Sequence, residues 1–242
     1  MYAYAKRAAD LSIAAVSLLL LAPILGIVAI LIKIDSKGPV LFKQQRFGKD
    51  KTPFMIYKFR TMTTDAPKNA ATRELKNASN YITKVGAIMR KLSIDELPQL
   101  LNVVRGEMSL VGPRPVILKE LDLILERDKY NANTCKPGIT GWAQANGRDE
   151  VNIYEKAHMD GEYTERFGLK MDLHCLAKTV ETIIFAKGYQ EGTRTILPPL
   201  QPSTQTPVFY SRIRSISKAV NRPIRRRQTT PEMQNANSYS DI

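Results

Sequence analysis

Two adjacent acidic residues, Asp95 and Glu96, stand at the start of an apolar helical pattern within residues 93–99. Ser93 and Glu96 have the spacing of a capping box, and Pro98 is tolerated only close to a helix start, so a helix is predicted to begin here. The positive end of a helix favours ionised carboxylates, the state that a nucleophile or a magnesium ligand needs. Neighbouring helical residues point about 100° apart, which suits two distinct roles. The simpler interpretation, that both acids only complement the helix dipole, is open at this point.

Arginines and glycines around this segment are suited to an anionic substrate. Arg90 lies just upstream, and Arg114 is held between two prolines at the end of residues 106–115. A guanidinium suits phosphate because its planar fork donates two parallel hydrogen bonds. The glycine-rich residues 137–148 add backbone N–H groups, the only tryptophan and Arg148, although such turns are common. The sequence contains no Walker A or dinucleotide-binding fingerprint.

Hydrophobic patterning predicts the elements that must position these residues. Short apolar runs at 39–42 and 54–59, separated by Gly48 and the turn 49–51, predict a small β-hairpin. Helical periodicity follows in five segments, at 82–91, 97–105, 116–130, 151–167 and 169–186. Together these patterns predict a mainly helical α+β fold with little sheet.

The N-terminal segment is apolar enough to enter a membrane. From Leu11 to Ile32 the chain has 22 residues without a charge, and about 20 apolar residues suffice to cross a bilayer. The run is longer than the apolar core of a signal peptide, and no small-residue cleavage site follows it. We therefore expect it to be retained.

Pro23 lies near the middle of this run. Its ring clashes with the carbonyl group of Leu19 and it lacks an N–H, so a kink or break is predicted there. Basic residues flank both ends of the run, which places both ends in the cytoplasm under the positive-inside rule. A re-entrant hairpin of two half-helices satisfies both flanks, whereas a single kinked transmembrane helix leaves one flank outside. From the residues alone, the two paths have equal weight.

The chain carries a formal net charge of +13, which indicates phosphate-rich partners without choosing among nucleic acid, nucleotides and anionic lipid. Two cysteines exclude a disulfide-dense secreted scaffold, and two histidines beside them argue against a structural zinc cluster. Seven Lys and Arg residues fall between Arg212 and Arg227. This basic tail is either solvated and disordered or a segment that binds anionic lipid headgroups.

These motifs resemble those of the bacterial sugar transferases, the small monotopic polyprenyl-phosphate phosphoglycosyl transferases that initiate surface-glycan synthesis. The resemblance covers about residues 1–190 and is closest to compact members of exopolysaccharide pathways. Its carrying motifs, in the family order, are Lys-Phe-Arg-Thr-Met at 58–62, Ser-Ile-Asp-Glu-Leu-Pro-Gln at 93–99, 106–115 ending in Pro-Arg-Pro, and 137–148. It implies a phosphotransferase that moves a sugar-1-phosphate from a UDP-sugar to undecaprenyl phosphate and releases UMP.

The resemblance also assigns roles. It implies that Asp95 is a covalent nucleophile whose phosphosugar adduct is displaced by the lipid phosphate, and that Glu96 holds a required Mg²⁺ ion. Arg90 and Arg114 match family positions that meet phosphate. Arg148 matches one near the nucleotide sugar.

Three further residues match family positions. Lys58 and Arg60 are motif residues for which substrate binding and buried ion pairing are both open. Pro23 matches the proline that bends the family's re-entrant membrane helix, so the resemblance favours the hairpin over a spanning helix.

The implied organisation is a re-entrant membrane hairpin at 1–33, a catalytic domain at 34–190 and a flexible basic tail at 191–242. The resemblance places the protein in the bacterial inner membrane, with its catalytic domain at the cytoplasmic interface. The implied partners are a UDP-sugar, undecaprenyl phosphate and membrane lipids, and not nucleic acid. A homo-oligomer and downstream glycosyltransferases are further partners that it allows.

Two other functions compete with this one. A membrane-tethered basic module that binds anionic lipid or nucleic acid without catalysis explains the charge, but not the Asp-Glu pair or the Pro-Arg-Pro turn. An aspartyl-phosphate hydrolase would use the same nucleophile with water as acceptor. No rule links a spacing in this chain to one sugar, so the choice among UDP-sugars is open.

Overall fold

The structure, a computed structural model, describes residues 1–67, 78–118, 120–147 and 151–184, which all belong to the first of the chain's two units, Met1–Ile196. The helices in this part of the chain are α1 (Tyr2–Asp35), α2 (Lys84–Lys91), α3 (Leu100–Arg105), α4 (Leu121–Asp128), α5 (Trp142–Gly147), α6 (Ile153–Glu165) and α7 (Leu169–Ile184). The strands are β1 (Leu41–Phe47), β2 (Pro53–Phe59), β3 (Ser109–Val111), β4 (Val116–Ile117) and β5 (Gly138–Thr140). The predicted mainly helical α+β class is confirmed. Arg148 and the tail at 191–242 lie outside the described residues.

The predicted hairpin is formed by β1 and β2, which pair antiparallel with Leu41 opposite Phe59. A short 3₁₀ turn, Lys49–Lys51, connects them. Residues that are directly opposite in such a pair share one face, so this register places Arg46 and Lys58 on the same face of the hairpin.

Strand β4 pairs antiparallel with the free edge of β1 and completes a three-stranded sheet. The prediction of a helix from residue 116 is therefore wrong at its start, because Val116 and Ile117 are in this strand and α4 begins at Leu121. Both residues are β-branched and buried, which favours a strand over the end of a helix.

A second, parallel sheet joins two segments that lie far apart in the sequence. Ser109 of β3 is opposite Gly138 of β5. A Cβ atom on Gly138 would lie 2.1 Å from the backbone nitrogen of Gly112, so only glycine permits this close approach of two backbones. Strands of three residues are too short to show an alternating pattern, which is why hydrophobic patterning did not predict them. The sheet holds the Pro-Arg-Pro turn beside the glycine-rich segment.

Helix α1 packs one face against the rest of the described residues, on two clusters that include Phe54 and Met89. The packed side chains recur every three or four positions, as one face of a helix requires. They are Ala14, Leu18, Leu21, Leu25, Val28 and Ile32. The opposite side exposes large apolar residues, among them Leu19, Leu20, Ile24, Ile27 and Ile30. Within the described residues, α1 is the one helix long and apolar enough to cross a membrane.

The chain stays helical through Pro23, which lies inside α1. The sequence predicted either a kink or a break at Pro23. A complete break into two half-helices is excluded, because α1 is continuous there. A proline removes one helical hydrogen bond. Here Leu21 and Leu25, in the turns before and after Pro23, both pack against the other described elements, which holds the two turns in line. The re-entrant path of α1 stays a prediction.

Both ends of α1 are fastened to the other described elements by polar contacts. Near its start, Lys6 Nζ lies 2.5 Å from Asp172 Oδ2 on α7. At its end, the Arg60 guanidinium donates to the carbonyl oxygens of Ser36 and Lys37, both at 2.7 Å. The last carbonyl groups of a helix lack intrahelical partners, so Arg60 supplies them from the residue that follows β2.

Candidate active site

The adjacent carboxylates lie on a 3₁₀ helix, Ile94–Gln99, that leads directly into α3. A helical start is confirmed here, but the predicted capping box is wrong. Ser93 has a left-handed backbone (φ 57°) and its side chain makes no capping hydrogen bond, whereas an N-cap residue needs an extended backbone. With three residues per turn, Asp95 and Glu96 project about 120° apart and so meet different surroundings.

Glu96 is held by two cations from different elements. Lys58 Nζ of β2 donates to Glu96 Oε1 at 2.6 Å, and Arg114 Nη2 lies 3.4 Å from the same oxygen. The side chains of Lys58 and Glu96 are mostly buried, whereas that of Arg114 is 50% exposed. The hairpin, the 3₁₀ helix and the Pro-Arg-Pro turn therefore converge on one carboxylate.

These cations decide the ionisation of Glu96. Burial alone would raise the pKa of Glu96, but the charges of Lys58 and Arg114, together with the Lys58 hydrogen bond, lower that pKa to about 2. Glu96 is thus a carboxylate at neutral pH. Burial lowers the pKa of Lys58, and the charge of Glu96 opposes this shift.

Asp95 has the opposite balance. Burial raises the pKa of Asp95, the Lys58 charge lowers it, the Glu96 charge raises it and the Arg90 charge lowers it, with a net shift upward. Burial therefore outweighs the neighbouring cations in setting the direction of this pKa shift. Within the described residues, no hydrogen bond or ion pair restrains the Asp95 carboxylate, which leaves its oxygens available to a substrate.

A small cleft opens at this convergence. Its polar lining consists of Arg46, Lys58, Glu96, Gln99, Arg114 and Gln144. Three cations against one carboxylate make the cleft suitable for phosphate groups.

The predicted site residues divide into three groups by position. Lys58, Glu96 and Arg114 line the cleft, and Asp95 lies beside it. Arg90 donates through Nε to Thr61 Oγ1 at 3.1 Å and is close enough to Asp95 to lower its pKa. Arg60 instead donates to carbonyl groups at the end of α1 and is not among the residues that line the cleft. Arg148 lies outside the described residues.

The lining residues Arg46, Gln99 and Gln144 were not predicted as site residues. The hairpin register is the signal that would have identified Arg46, because it puts Arg46 on the same face as Lys58. The two glutamines carry no such signal, since their positions in the cleft depend on contacts between distant segments.

A buried ion pair supports Arg114 from behind. Arg127 of α4 donates through Nε to Asp160 Oδ2 of α6 at 2.8 Å, and both side chains are buried. The Arg127 Nη1 group donates to the carbonyl oxygen of Arg114 at 3.0 Å. The pair therefore fixes the backbone that carries the exposed guanidinium of Arg114 at the cleft.

We expect Asp160→Asn to lower the free energy of unfolding by about 3–5 kcal/mol, because it leaves the Arg127 charge buried without its partner. Chemical denaturation followed by circular dichroism measures this. Lys129→Gln is the matched control, since it breaks the exposed pair with Glu126 and should cost no more than about 1 kcal/mol. Equal costs for the two variants would contradict a supporting role for the buried pair.

The acidic pair has the chemistry of a magnesium site completed by substrate. Among the described residues, no group of three or more His, Cys, Asp or Glu side chains could hold a metal ion. Mg²⁺, however, is commonly held by one or two carboxylates together with substrate phosphates and water. Two neighbouring carboxyl groups, of which Glu96 is ionised at neutral pH, fit that pattern.

Comparison with known proteins agrees with the motifs. The sequence model of the family described as bacterial sugar transferase matches residues 1–186. The chain is 40% identical over 188 residues to the uncharacterized sugar transferase EpsL of Bacillus subtilis (strain 168), which covers 77% of this chain and 90% of that protein. It is 38% identical over 199 residues to the exopolysaccharide production protein ExoY of Rhizobium meliloti (strain 1021), covering 76% and 87%.

A longer relative is the undecaprenyl-phosphate glucose phosphotransferase of Komagataeibacter xylinus. It is 43% identical over 192 residues, which cover 75% of this chain and 36% of that protein. The chain thus spans about a third of this relative's length. The family match extends over most of the chain and includes the hairpin, the acidic 3₁₀ helix and the Pro-Arg-Pro turn. The chain therefore belongs to the bacterial sugar transferase family.

Proposed function

We propose that this chain transfers a sugar-1-phosphate from a UDP-sugar to undecaprenyl phosphate, releases UMP and thereby initiates exopolysaccharide synthesis. The observation that carries the proposal is the Asp95 carboxylate, which has no hydrogen bond within the described residues and lies beside a cleft lined by three cations. The relative from Komagataeibacter xylinus, named as an undecaprenyl-phosphate glucose phosphotransferase, supports the same reaction class.

In the first step, an Asp95 oxygen forms a bond to the sugar-linked phosphorus. The bond between that phosphorus and the bridging oxygen breaks, and UMP leaves with the electron pair. Arg114 and Lys58 bind the phosphate oxygens and hold the phosphorus in line with Asp95. A Mg²⁺ ion held by Glu96 would neutralise part of the diphosphate charge.

In the second step, an oxygen of undecaprenyl phosphate forms a bond to the same phosphorus, and the bond to Asp95 breaks. The electron pair returns to the carboxylate, and the product is a polyprenyl-diphosphate sugar. Neither step needs a proton from the protein, which fits a site whose lining offers cations and amides rather than a histidine.

The test uses the full chain in detergent with undecaprenyl phosphate and a panel of UDP-sugars, and UMP is measured. We expect UMP release only when the polyprenyl phosphate is present. Release without it, together with free sugar phosphate, would identify a hydrolase. Lipid or nucleic-acid binding without any UMP release would identify a binding module.

Lys58 gives this mechanism a defined pH dependence. Because the Lys58 charge lowers the pKa of Asp95, Lys58→Gln raises that pKa. Asp95 must be ionised to attack, so the acid limb of the kcat profile should move to higher pH. Lys43→Gln, at an exposed position of β1, is the control. An acid limb that stays in place or moves to lower pH would contradict the coupling between Lys58 and Asp95.

We propose further that α1 enters and leaves the inner membrane on the cytoplasmic side. A straight helix of 34 residues is about 51 Å long, which exceeds the roughly 30 Å hydrocarbon core. Yet the first turns of α1 pair with α7, and its last residues pair with Arg60, on one polar body. Spanning would carry one of these polar contacts across the bilayer, whereas a re-entrant path keeps both on one side.

Cysteine labelling tests this path. Cysteines replacing Tyr4 and Lys37, which are exposed near the two ends of α1, are made in a chain whose Cys135 and Cys175 are replaced by serine and alanine. A membrane-impermeant maleimide should label neither new cysteine in spheroplasts and both after lysis. Labelling of either one from the periplasmic side would show that α1 spans the membrane.

A further inference from the structure

The side-chain amide of Gln144, on α5, makes a hydrogen bond through its nitrogen, but none through its oxygen within the described residues. Its Nε2 group donates to the carbonyl oxygen of Ile139 at 3.0 Å, which fixes the orientation of the amide. Its Oε1 atom is buried and has no hydrogen-bond partner among the residues that the structure describes. Buried polar atoms without partners are rare because they cost free energy, so this oxygen is suited to a ligand that supplies a donor.

The position of this oxygen follows from the close contact between two backbones. A Cβ atom on Gly141 would lie 2.1 Å from the carbonyl oxygen of Gly112 and 3.1 Å from Gln144 Oε1. The absence of a side chain at 141 therefore lets α5 begin beside the Pro-Arg-Pro turn. Gln144 consequently lines the same cleft as Lys58 and Arg114.

A second amide lines this cleft. It belongs to Gln99, on the acidic 3₁₀ helix, which is only 2% exposed. Within the described part of the chain, the Gln99 side chain makes no hydrogen bond. Two amides therefore accompany three cations in the lining of this cleft. The cations suit phosphate oxygens, whereas an amide oxygen accepts only from a donor and repels phosphate oxygens.

The cations of this cleft suit the diphosphate of a nucleotide sugar, so the donor for Gln144 is sought among the neutral groups closest to that diphosphate. On the transferred sugar, the donor nearest to the phosphate is the substituent on C2. That substituent is a hydroxyl group in hexoses and an amide N–H in N-acetylated sugars, so an acceptor oxygen suits both. The ribose hydroxyls of the nucleoside are the other source of a neutral donor.

We infer that Gln144 Oε1 accepts a hydrogen bond from the C2 substituent of the transferred sugar, and that Gln99 completes this neutral subsite. The inference rests on the proposed function, because it takes a UDP-sugar as the ligand. It makes Gln144 a residue that recognises the sugar while the cations bind the phosphates.

The test is a double-mutant cycle between Gln144→Met and removal of the C2 hydroxyl. The full chain is assayed with UDP-glucose and with UDP-2-deoxyglucose, and UMP release gives kcat/KM. Each single change should lower kcat/KM about tenfold, as expected for one lost hydrogen bond. Both changes together should lower it little further. Gln45→Met, on the opposite face of the hairpin from Lys58, is the control and should leave both values unchanged.

If the double change lowered kcat/KM by the product of the two single effects, the two groups would act independently and the inference would be overturned. A Gln144→Met variant with unchanged kcat/KM would also overturn it. Coupling to the 2′-deoxyribose analogue of UDP-glucose instead would assign the donor to the nucleoside and equally overturn it. The same double-mutant cycle can be measured as the Kd for the nucleotide sugar in an Asp95→Asn chain, because binding does not need turnover. This measurement separates the role of Gln144 from the proposed transferase function. A wild-type chain that binds UDP-glucose with this coupling, but releases no UMP from any UDP-sugar of the panel when undecaprenyl phosphate is present, would contradict the proposed function alone. Absence of coupling in Kd would contradict the role of Gln144 alone.

Discussion

Asp95→Asn should abolish UMP release and leave no phosphosugar adduct on the protein. An amide at this position cannot form the bond to phosphorus, so we expect turnover to fall by at least about 10⁴-fold, as for other lost nucleophiles. The fold should survive. Because burial raises the pKa of Asp95, the charged form is disfavoured in the folded protein, and a neutral amide removes that cost. The variant should therefore melt at the same temperature as the wild type or higher.

Intact-mass spectrometry separates this outcome from a general loss of activity. The wild type incubated with a UDP-sugar, but without polyprenyl phosphate, should gain the mass of one sugar phosphate, and Asp95→Asn should not. Asp65→Asn, at an exposed position outside the cleft, is the matched control and should form the adduct normally. Retained turnover, or an adduct found on another residue of the Asp95→Asn chain, would contradict the assignment of the nucleophile.

Glu96→Gln should reduce turnover by about 10²–10³-fold and remove most of its response to Mg²⁺. The amide still accepts a hydrogen bond from Lys58, so local geometry is kept while the negative charge is lost. The same change should move the acid limb of the pH profile to lower pH. The Glu96 charge raises the pKa of Asp95, and its removal therefore lets Asp95 ionise at lower pH. This direction is opposite to that expected for Lys58→Gln.

A magnesium titration of kcat with Glu96→Gln, and with Glu165→Gln as a control at an exposed position, measures the first effect. An unchanged magnesium response in Glu96→Gln would mean that Glu96 is a partner of Lys58 and Arg114 only. A shift of the acid limb to higher pH in Glu96→Gln would contradict the statement that the Glu96 charge raises the pKa of Asp95.

Much of the fold could be predicted because its signals are local. The hairpin, with its turn at Lys49–Lys51, and the helices α6 and α7 follow from apolar spacing and turn residues within a few positions of each other. The short strands β3 and β5 could not be predicted in this way. Their pairing depends on the approach of Gly112 and Gly138, which are distant in sequence and meet only when the chain is folded.

The candidate site divides in the same way. Asp95, Glu96 and Arg114 could be identified from residue type and spacing, because a nucleophile, a magnesium ligand and a phosphate donor need particular side chains. Their surroundings could not be identified. Arg60, from the same motif as Lys58, caps α1, since the tertiary fold brings the open carbonyl groups of that helix to its guanidinium.

The sequence determined which chemical groups this protein has and in which local elements they stand, including an apolar N-terminal helix that contains Pro23. Only the tertiary structure decided the ionisation of the two adjacent acids. Lys58 and Arg114, from other elements, lower the pKa of Glu96, whereas burial raises that of Asp95. Desolvation and charge act through space, so two neighbours in the chain acquire opposite shifts that no local pattern records.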